Sequence, residues 1–116
     1  MKKKYLVTGG SGFIGSALVK GLIREGHSVR VFDNNSRGNL RRLESVIDQI
    51  EFVEGDIREP NQVLEACKGV DAVCHLAFVN GTKFFYELPE LVLEVGVKGM
   101  INILDACIAN NIEDLI

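Results

Sequence analysis

Residues 8 to 15 read Thr8-Gly9-Gly10-Ser11-Gly12-Phe13-Ile14-Gly15, and the interpretation of the chain starts from this stretch. Its glycines satisfy two spacings at once, G-x-G-x-x-G from Gly10 and G-x-x-G-x-x-G from Gly9. An apolar run precedes the stretch at residues 5–7, and an apolar pattern of helical period follows it. A strand, a glycine turn and a helix start in this order are typical of a dinucleotide-binding turn.

Glycine suits such a turn because a diphosphate must approach main-chain N–H groups closely, where a Cβ would block it. The last glycine lets the helix lie close to the strand, and the helix N-terminus offers unpaired N–H groups to the phosphates. We therefore predict that Gly9, Gly12, Phe13, Ile14 and Gly15 bind a pyrophosphate. A glycine-rich turn without a ligand is the alternative. A P-loop is excluded, because no Gly-Lys-Ser or Gly-Lys-Thr follows.

Composition indicates one small globular domain, with 116 residues, 47% hydrophobic residues and a net charge of -3. No basic stripe favours nucleic acid, and no apolar run approaches membrane-spanning length. The three cysteines fit no metal motif, and their apolar surroundings predict buried thiols in a reducing cytoplasm.

Strand and helix patterns alternate along the whole chain. The sequence predicts strands near residues 3–7, 28–33, 50–53, 70–75 and 113–116, and helices near 12–25, 40–47, 59–68 and 87–110. Such alternation predicts an α/β fold, a doubly wound parallel sheet with the expected strand order 3-2-1-4-5. Ligands of these sheets bind beyond the carboxyl ends of the strands, where Gly9, Asp33, Asp56 and His75 fall.

Asp33 ends the second predicted strand, near the spacing of about 20 positions at which the dinucleotide fingerprint places an acid. A carboxylate there accepts hydrogen bonds from the ribose hydroxyls and repels a 2′-phosphate, which favours NAD over NADP. Two alternatives stay open. Asp33 alone would suit a turn before Asn34-Asn35. Arg37 is near enough in the sequence to bind a 2′-phosphate, which would favour NADP.

Four segments in this order resemble the extended short-chain dehydrogenase/reductase family, in particular its NAD-dependent nucleotide-sugar epimerases and dehydratases. The segments are Thr8–Gly15, Phe32-Asp33-Asn34 with Ser36-Arg37-Gly38, Gly55-Asp56-Ile57-Arg58, and His75-Leu76-Ala77. The resemblance covers the whole chain. It implies NAD as the cofactor, a nucleotide-sugar substrate and a homodimer of the full-length enzyme.

The resemblance also implies site roles. The glycine turn holds the pyrophosphate, and Asp33 with Asn34 lies at the adenosine ribose. Asp56 and the main chain of Ile57 contact the adenine, although Asp56 alone would also suit a turn. Leu76 and Ala77 lie along the nicotinamide side. His75, which invites a catalytic role, is structural at the matching family position.

Two departures from the family pattern stand out. The first is Gly96, which occupies a helix position where the family often has asparagine. The loop at Asn80-Gly81-Thr82 follows the fourth predicted strand instead, and it is either a pocket wall or plain surface. The catalytic Tyr-x-x-x-Lys of the family is missing, because Tyr5 and Tyr86 are followed four positions later by Gly9 and Glu90.

We therefore expect residues 1–116 to be the N-terminal NAD-binding segment of a longer enzyme, inactive alone. The parent would act by transient hydride transfer at the sugar. Two alternatives use the same fold elements: a non-catalytic NAD(P)-binding sensor, and an S-adenosylmethionine-dependent methyltransferase.

Overall fold

A computed structural model describes residues 1–35, 39–79 and 82–116 of the chain. Its centre is a parallel sheet of five strands in the order β3-β2-β1-β4-β5, which confirms the predicted order. The strands are β1 (Lys4–Thr8), β2 (Ser28–Asp33), β3 (Ile50–Glu54), β4 (Ala72–His75) and β5 (Asp114–Leu115). Some residues on which the sequence interpretation rests lie outside the described parts, namely Ser36, Arg37, Gly38, Asn80 and Gly81.

Helices cover both faces of the sheet. They are α1 (Phe13–Arg24), a 3-10 helix (Leu40–Gln49), α2 (Pro60–Ala66), α3 (Thr82–Glu87), α4 (Pro89–Leu93), a π-helical turn (Glu94–Lys98) and α5 (Gly99–Ala109). No helix in these described parts is both long and apolar enough to cross a membrane.

Two separate cores follow from the alternation of side chains along the central strand β1. Leu6 is fully buried with Phe32 and Ile103 on the face that α2 and α5 cover. Its neighbour Val7 is fully buried on the other face, in the cluster that includes Val19 of α1. A strand buried on both faces explains why the segment reads as continuously apolar.

Two helix predictions need correction, and one helix was missed. The segment predicted as a helix over residues 40–47 is a 3-10 helix, and the Asn39 side chain caps it by accepting a hydrogen bond from the Arg41 N–H at 2.9 Å. The helix predicted over 87–110 is not uniformly α-helical, because the π-helical turn at Glu94–Lys98 interrupts it. The short helix α3 was not predicted.

All three thiols are free and buried, as the sequence predicts. Cys67 lies directly after α2 and Cys107 within α5, in the same core cluster, whereas Cys74 lies in β4 on the opposite face. Burial raises the pKa of the Cys67 thiol to about 11, and it also raises the pKa of Cys74 and of Cys107.

Candidate cofactor-binding site

A cleft opens at the carboxyl edge of the sheet, with a volume of about 630 Å³ including its solvent-open mouth. The loops that follow β1, β2, β3 and β4 meet there, together with the π-helical turn. The cleft is lined by Gly9, Gly12, Phe32, Asp33, Asn34, Gly55, Asp56, Ile57, Leu76, Ala77, Phe78, Val79 and Val95. All predicted site residues line it except Phe13, Ile14 and Gly15.

The glycine turn is closely packed at its two ends and open in its middle. Gly9 has φ +71°, and a Cβ there would lie 3.0 Å from the main-chain nitrogen of Ala77. A Cβ on Gly15 would overlap the carbonyl oxygen of Gly9. Among the described residues, a Cβ on Gly12 would meet within 4 Å only that same oxygen, at 3.2 Å. Gly9 and Gly15 therefore serve the turn itself, whereas the bare backbone of Gly12 faces the cleft.

The three predicted residues that do not line the cleft form the first turn of α1. The side chains of Phe13 and Ile14 are exposed, at 82% and 72%. No side chain of the described residues caps this helix, and its first turn carries no acid. Within the described part of the chain, the N–H groups of these residues have no hydrogen-bond partner. They present free donors and the positive end of the helix dipole, which is what an anion requires.

Asp33 is held in one orientation at the end of β2. It is a buried carboxylate, and its two oxygens accept hydrogen bonds from the main-chain N–H groups of Ser11, at 3.0 Å, and Asn35, at 2.7 Å. The glycine turn thus contacts Asp33 directly. A carboxylate has about four acceptor sites, so the oxygens can still accept bonds from a pair of hydroxyls in the cleft.

Asp56 follows β3 and forms a two-pronged ion pair with Arg58. Arg58 donates from Nη2 to Oδ2 at 2.6 Å and from Nε to Oδ1 at 3.0 Å. The guanidinium lowers the pKa of Asp56, so the carboxylate stays charged at the cleft. Arg58 also reaches Glu94 of the π-helical turn, with 3.5 Å between Nη1 and Oε2. The ion pairs therefore connect the β3 loop to the helix beside it.

The loop after β4 is fixed by Thr8 at the end of β1. The Oγ1 of Thr8 accepts hydrogen bonds from the N–H groups of Leu76, at 3.0 Å, and Ala77, at 3.1 Å. Leu76 and Ala77 are thereby placed beside the glycine turn. His75 is the last residue of β4 and does not line the cleft.

Sequence reasoning missed several apolar lining residues, namely Phe32, Gly55, Phe78, Val79 and Val95. Phe78 and Val79 directly follow the predicted Leu76-Ala77 segment, so their place in the chain was an available signal. Gly96 gave no such signal, because only the structure shows that a Cβ there would lie 2.6 Å from Cε2 of Phe78.

The sequence profile of the NAD dependent epimerase/dehydratase family matches residues 5–116. A UDP-N-acetyl-alpha-D-glucosaminuronate decarboxylase of Bacillus cytotoxicus is 36% identical over 108 residues, which are 93% of this chain and 34% of that protein. A 2-alkyl-3-oxoalkanoate reductase of Stenotrophomonas maltophilia is 35% identical over 113 residues, 97% of this chain and 32% of that protein.

The fold is also similar to solved structures. The UDP-glucose 4-epimerase of Thermus thermophilus, determined in complex with NAD, superposes with a TM-score of 0.89 at 35% identity. The superposition covers 97% of this chain and 36% of that one. The chain thus spans about a third of the length of the curated relatives that it matches.

Proposed function

The chain belongs to the NAD-dependent epimerase/dehydratase family, and from that premise we propose that its cleft binds NAD across the carboxyl edge of the sheet. One observation carries the proposal. The open Gly12 backbone, the oriented Asp33 and the charged Asp56 come from three separate loops and meet in a single cleft. A dinucleotide needs this combination of a diphosphate site, a ribose acceptor and a base site.

The lining of the cleft and the adjoining start of α1 each have a proposed role. The N–H groups of Phe13 and Ile14 bind the pyrophosphate, with Gly12 bare so that the phosphates can approach. Asp33 accepts hydrogen bonds from the adenosine ribose, with Asn34 beside it. Gly9 and Gly15 hold the turn. Leu76 and Ala77 flank the nicotinamide half.

Calorimetric titration with NAD, ADP-ribose and S-adenosylmethionine tests this proposal. NAD and ADP-ribose should bind, because the adenosine diphosphate carries most of the contacts named above. S-adenosylmethionine should not bind, because it has no diphosphate for the glycine turn. Binding of S-adenosylmethionine without binding of NAD would overturn the proposal in favour of a methyltransferase.

We further propose that the whole protein acts on a nucleotide-activated sugar. Bound NAD supplies a hydride acceptor that takes a hydride from the sugar and can return it. A decarboxylase and an epimerase of nucleotide sugars, both more than 30% identical, support this substrate class. The family's acid/base Tyr-x-x-x-Lys is not among residues 1–116, so we place the proton transfer in another part of the protein.

A second candidate is the reduction of a ketone that is not a sugar. The similarity to a 2-alkyl-3-oxoalkanoate reductase, over nearly the same residues and at nearly the same identity, favours it. The two candidates share the cofactor site and differ in the carbonyl substrate. Assays of the whole protein with a nucleotide-sugar panel and with 3-oxoalkanoates, each with NAD or NADH, distinguish them.

The expected homodimer is supported by an exposed apolar stripe along one face from α4 to α5, which we name the helix stripe. It consists of Leu93, Val97, Ile101, Leu104 and Ile108, whose exposed fractions lie between 43% and 76%. The spacing reads nearly the same in both directions about Ile101. A second copy crossing antiparallel at Ile101 would cover it and bring Lys98 opposite Asp105, as a two-fold interface requires.

A further inference from the structure

Two glycines, one in the π-helical turn and one at the start of α5, make room for two side chains that line the cleft. A Cβ on Gly96, within the π-helical turn, would lie 2.6 Å from Cε2 of Phe78. A Cβ on Gly99, the first residue of α5, would lie 2.5 Å from Cδ1 of Ile57. Both distances are too short for a real contact. The missing Cβ of each glycine therefore leaves a space that one apolar side chain from a cleft loop occupies.

Gly96 and Gly99 are three residues apart, at the junction of the π-helical turn and α5, so Phe78 and Ile57 pack against the same short segment of the chain. Phe78 comes from the loop after β4 and Ile57 from the loop after β3, and both line the cleft. The helix thus brings together two loops that lie far apart in the sequence.

The two side chains differ in what they expose. Ile57 is 5% exposed, and its carbonyl oxygen is held by Nδ2 of Asn102 at 2.8 Å. Phe78 is 48% exposed, so one part of its ring packs at Gly96 and the rest is open. A half-exposed aromatic ring in a cleft is a stacking surface without an occupant among the described residues.

The carboxylate of Asp56 lines the cleft next to Ile57 and narrows the choice of ligand. Asp56 precedes Ile57 and stays charged beside Arg58. A planar ligand that packs against an apolar surface and offers an N–H donor to a carboxylate fits this end of the cleft. Adenine has both features, because its ring is flat and its exocyclic amino group donates hydrogen bonds.

We infer that Phe78 is an aromatic wall against which the adenine of the cofactor stacks, and that Gly96 sets the position of its ring. The inference rests on the proposed NAD-binding function and adds two residues to it. Gly96 is a positioning residue that acts through Phe78. A side chain at position 96 would push the ring toward the space that the base needs.

Calorimetry on the full-length protein tests the stacking role with Phe78→Ala and Phe78→Leu. NAD and ADP-ribose both contain adenine, so Phe78→Ala should weaken both by the same factor, about 5- to 150-fold for a lost base stack. Phe78→Leu keeps an apolar wall and should lose less. Weaker binding of NAD with unchanged binding of ADP-ribose would put Phe78 at the nicotinamide and overturn the inference.

A double-variant cycle tests the role of Gly96. Gly96→Ala should weaken ADP-ribose binding in the natural background and have little effect in the Phe78→Ala background, because the displaced ring is absent there. Gly21→Ala is the matched control, since a Cβ on this helical glycine would meet, among residues 1–35, 39–79 and 82–116, only Nη2 of Arg24, at 3.8 Å. Equal losses from Gly96→Ala in both backgrounds would contradict an action through Phe78.

Circular dichroism and thermal unfolding of each variant separate lost binding from lost folding. Phe78→Ala removes a half-exposed side chain and should leave the protein folded, so it carries the test even if Gly96→Ala unfolds the helix. Unchanged affinity of Phe78→Ala in a protein that binds NAD would overturn this inference alone. A natural protein that binds neither NAD nor ADP-ribose would overturn the proposed function, and the inference with it.

Discussion

The hydroxyl of Thr8 donates a hydrogen bond to Nδ1 of His75, and this bond joins the ends of β1 and β4. Oγ1 lies 2.7 Å from Nδ1. The same oxygen already accepts the N–H groups of Leu76 and Ala77, so its own proton is left for the imidazole. The imidazole is therefore neutral, with its proton on Nε2. Burial lowers the pKa of His75 in agreement with this state.

Protonation of His75 should make stability depend on pH. Its pKa is lower in the folded protein than the ordinary value of 6.5, so the unfolded chain binds more protons as the pH falls below that value. The contribution of His75 to the free energy of unfolding should be complete above about pH 6.5. It should decline below that pH, by at most about 1.4 kcal/mol per pH unit. Urea unfolding between pH 5 and 8 measures the slope. His75→Asn should reduce it, and an identical slope in the variant would contradict the assignment.

Asp33 should make the protein prefer NAD to NADP. A 2′-phosphate would be placed against a fixed carboxylate, and we expect NAD to bind at least about tenfold tighter, which corresponds to about 1.4 kcal/mol. Asp33→Asn removes the charge and keeps one oxygen that can accept a main-chain N–H, so it should narrow the difference with less loss of stability than Asp33→Ala. Calorimetry with both cofactors measures the ratio. Equal affinities in the natural protein would show that Asp33 does not discriminate, and Arg37 would become the residue to replace.

Gly12→Val should abolish NAD binding and leave the fold intact. Gly12 has φ −75° and ψ 177°, an extended conformation that valine adopts readily, and a Cβ there would meet only one atom of the part of the chain that the structure describes. The branched side chain would instead fill the space of the pyrophosphate. Gly21→Ala is the control, which should keep full binding and gain about 0.5–1 kcal/mol of stability. NAD affinity of the natural level in folded Gly12→Val would place the phosphates elsewhere.

Residues 1–116 alone should show no turnover. They hold the proposed nucleotide site but no Tyr-x-x-x-Lys pair, and general acid–base catalysis is typically worth about 10²- to 10⁴-fold. The test is an assay of the purified segment with NAD and a panel of nucleotide sugars, following NADH absorbance and products by chromatography. Multiple turnover that Gly12→Val abolishes would show that the chemistry lies within these residues.

The helix stripe should control the oligomeric state of the full-length protein. Ile101→Lys places a charge at the centre of the proposed two-fold contact and should convert a dimer into a monomer, measured by sedimentation velocity. Leu64→Lys is the matched control, because Leu64 is an exposed apolar residue of α2 outside the stripe. An unchanged dimer in Ile101→Lys would place the dimer contact outside the helix stripe.

The sequence was sufficient for the sheet because its signals are steric and periodic. The glycine turn and the apolar runs identified the strands, their order and the edge at which ligands bind. The type of the helix at Leu40–Gln49 was missed, although Leu43 and Val46, its buried residues, are three positions apart, the period of a 3-10 helix. Helix α3 buries none of its residues, so it left no apolar pattern to detect.

The apolar half of the cleft could not be predicted in the same way. Asp33 and Asp56 were found because a carboxylate at the end of a strand has a recognisable chemistry. Phe78 and Val95 have no such mark, and their place in the cleft depends on how the π-helical turn packs against two loops. Gly96 was noticed only as a departure from the family pattern, and the space it leaves for Phe78 is a tertiary property.

The buried cysteines have a chemical consequence for handling the protein. A thiol whose pKa is raised to about 11, as for Cys67, holds almost no thiolate near neutral pH, and only the thiolate reacts readily with alkylating reagents or oxidants. Modification of Cys67 and Cys107 must then wait until α2 or α5 detaches from the sheet. The rate at which a reagent labels these thiols therefore measures how often that side of the fold opens.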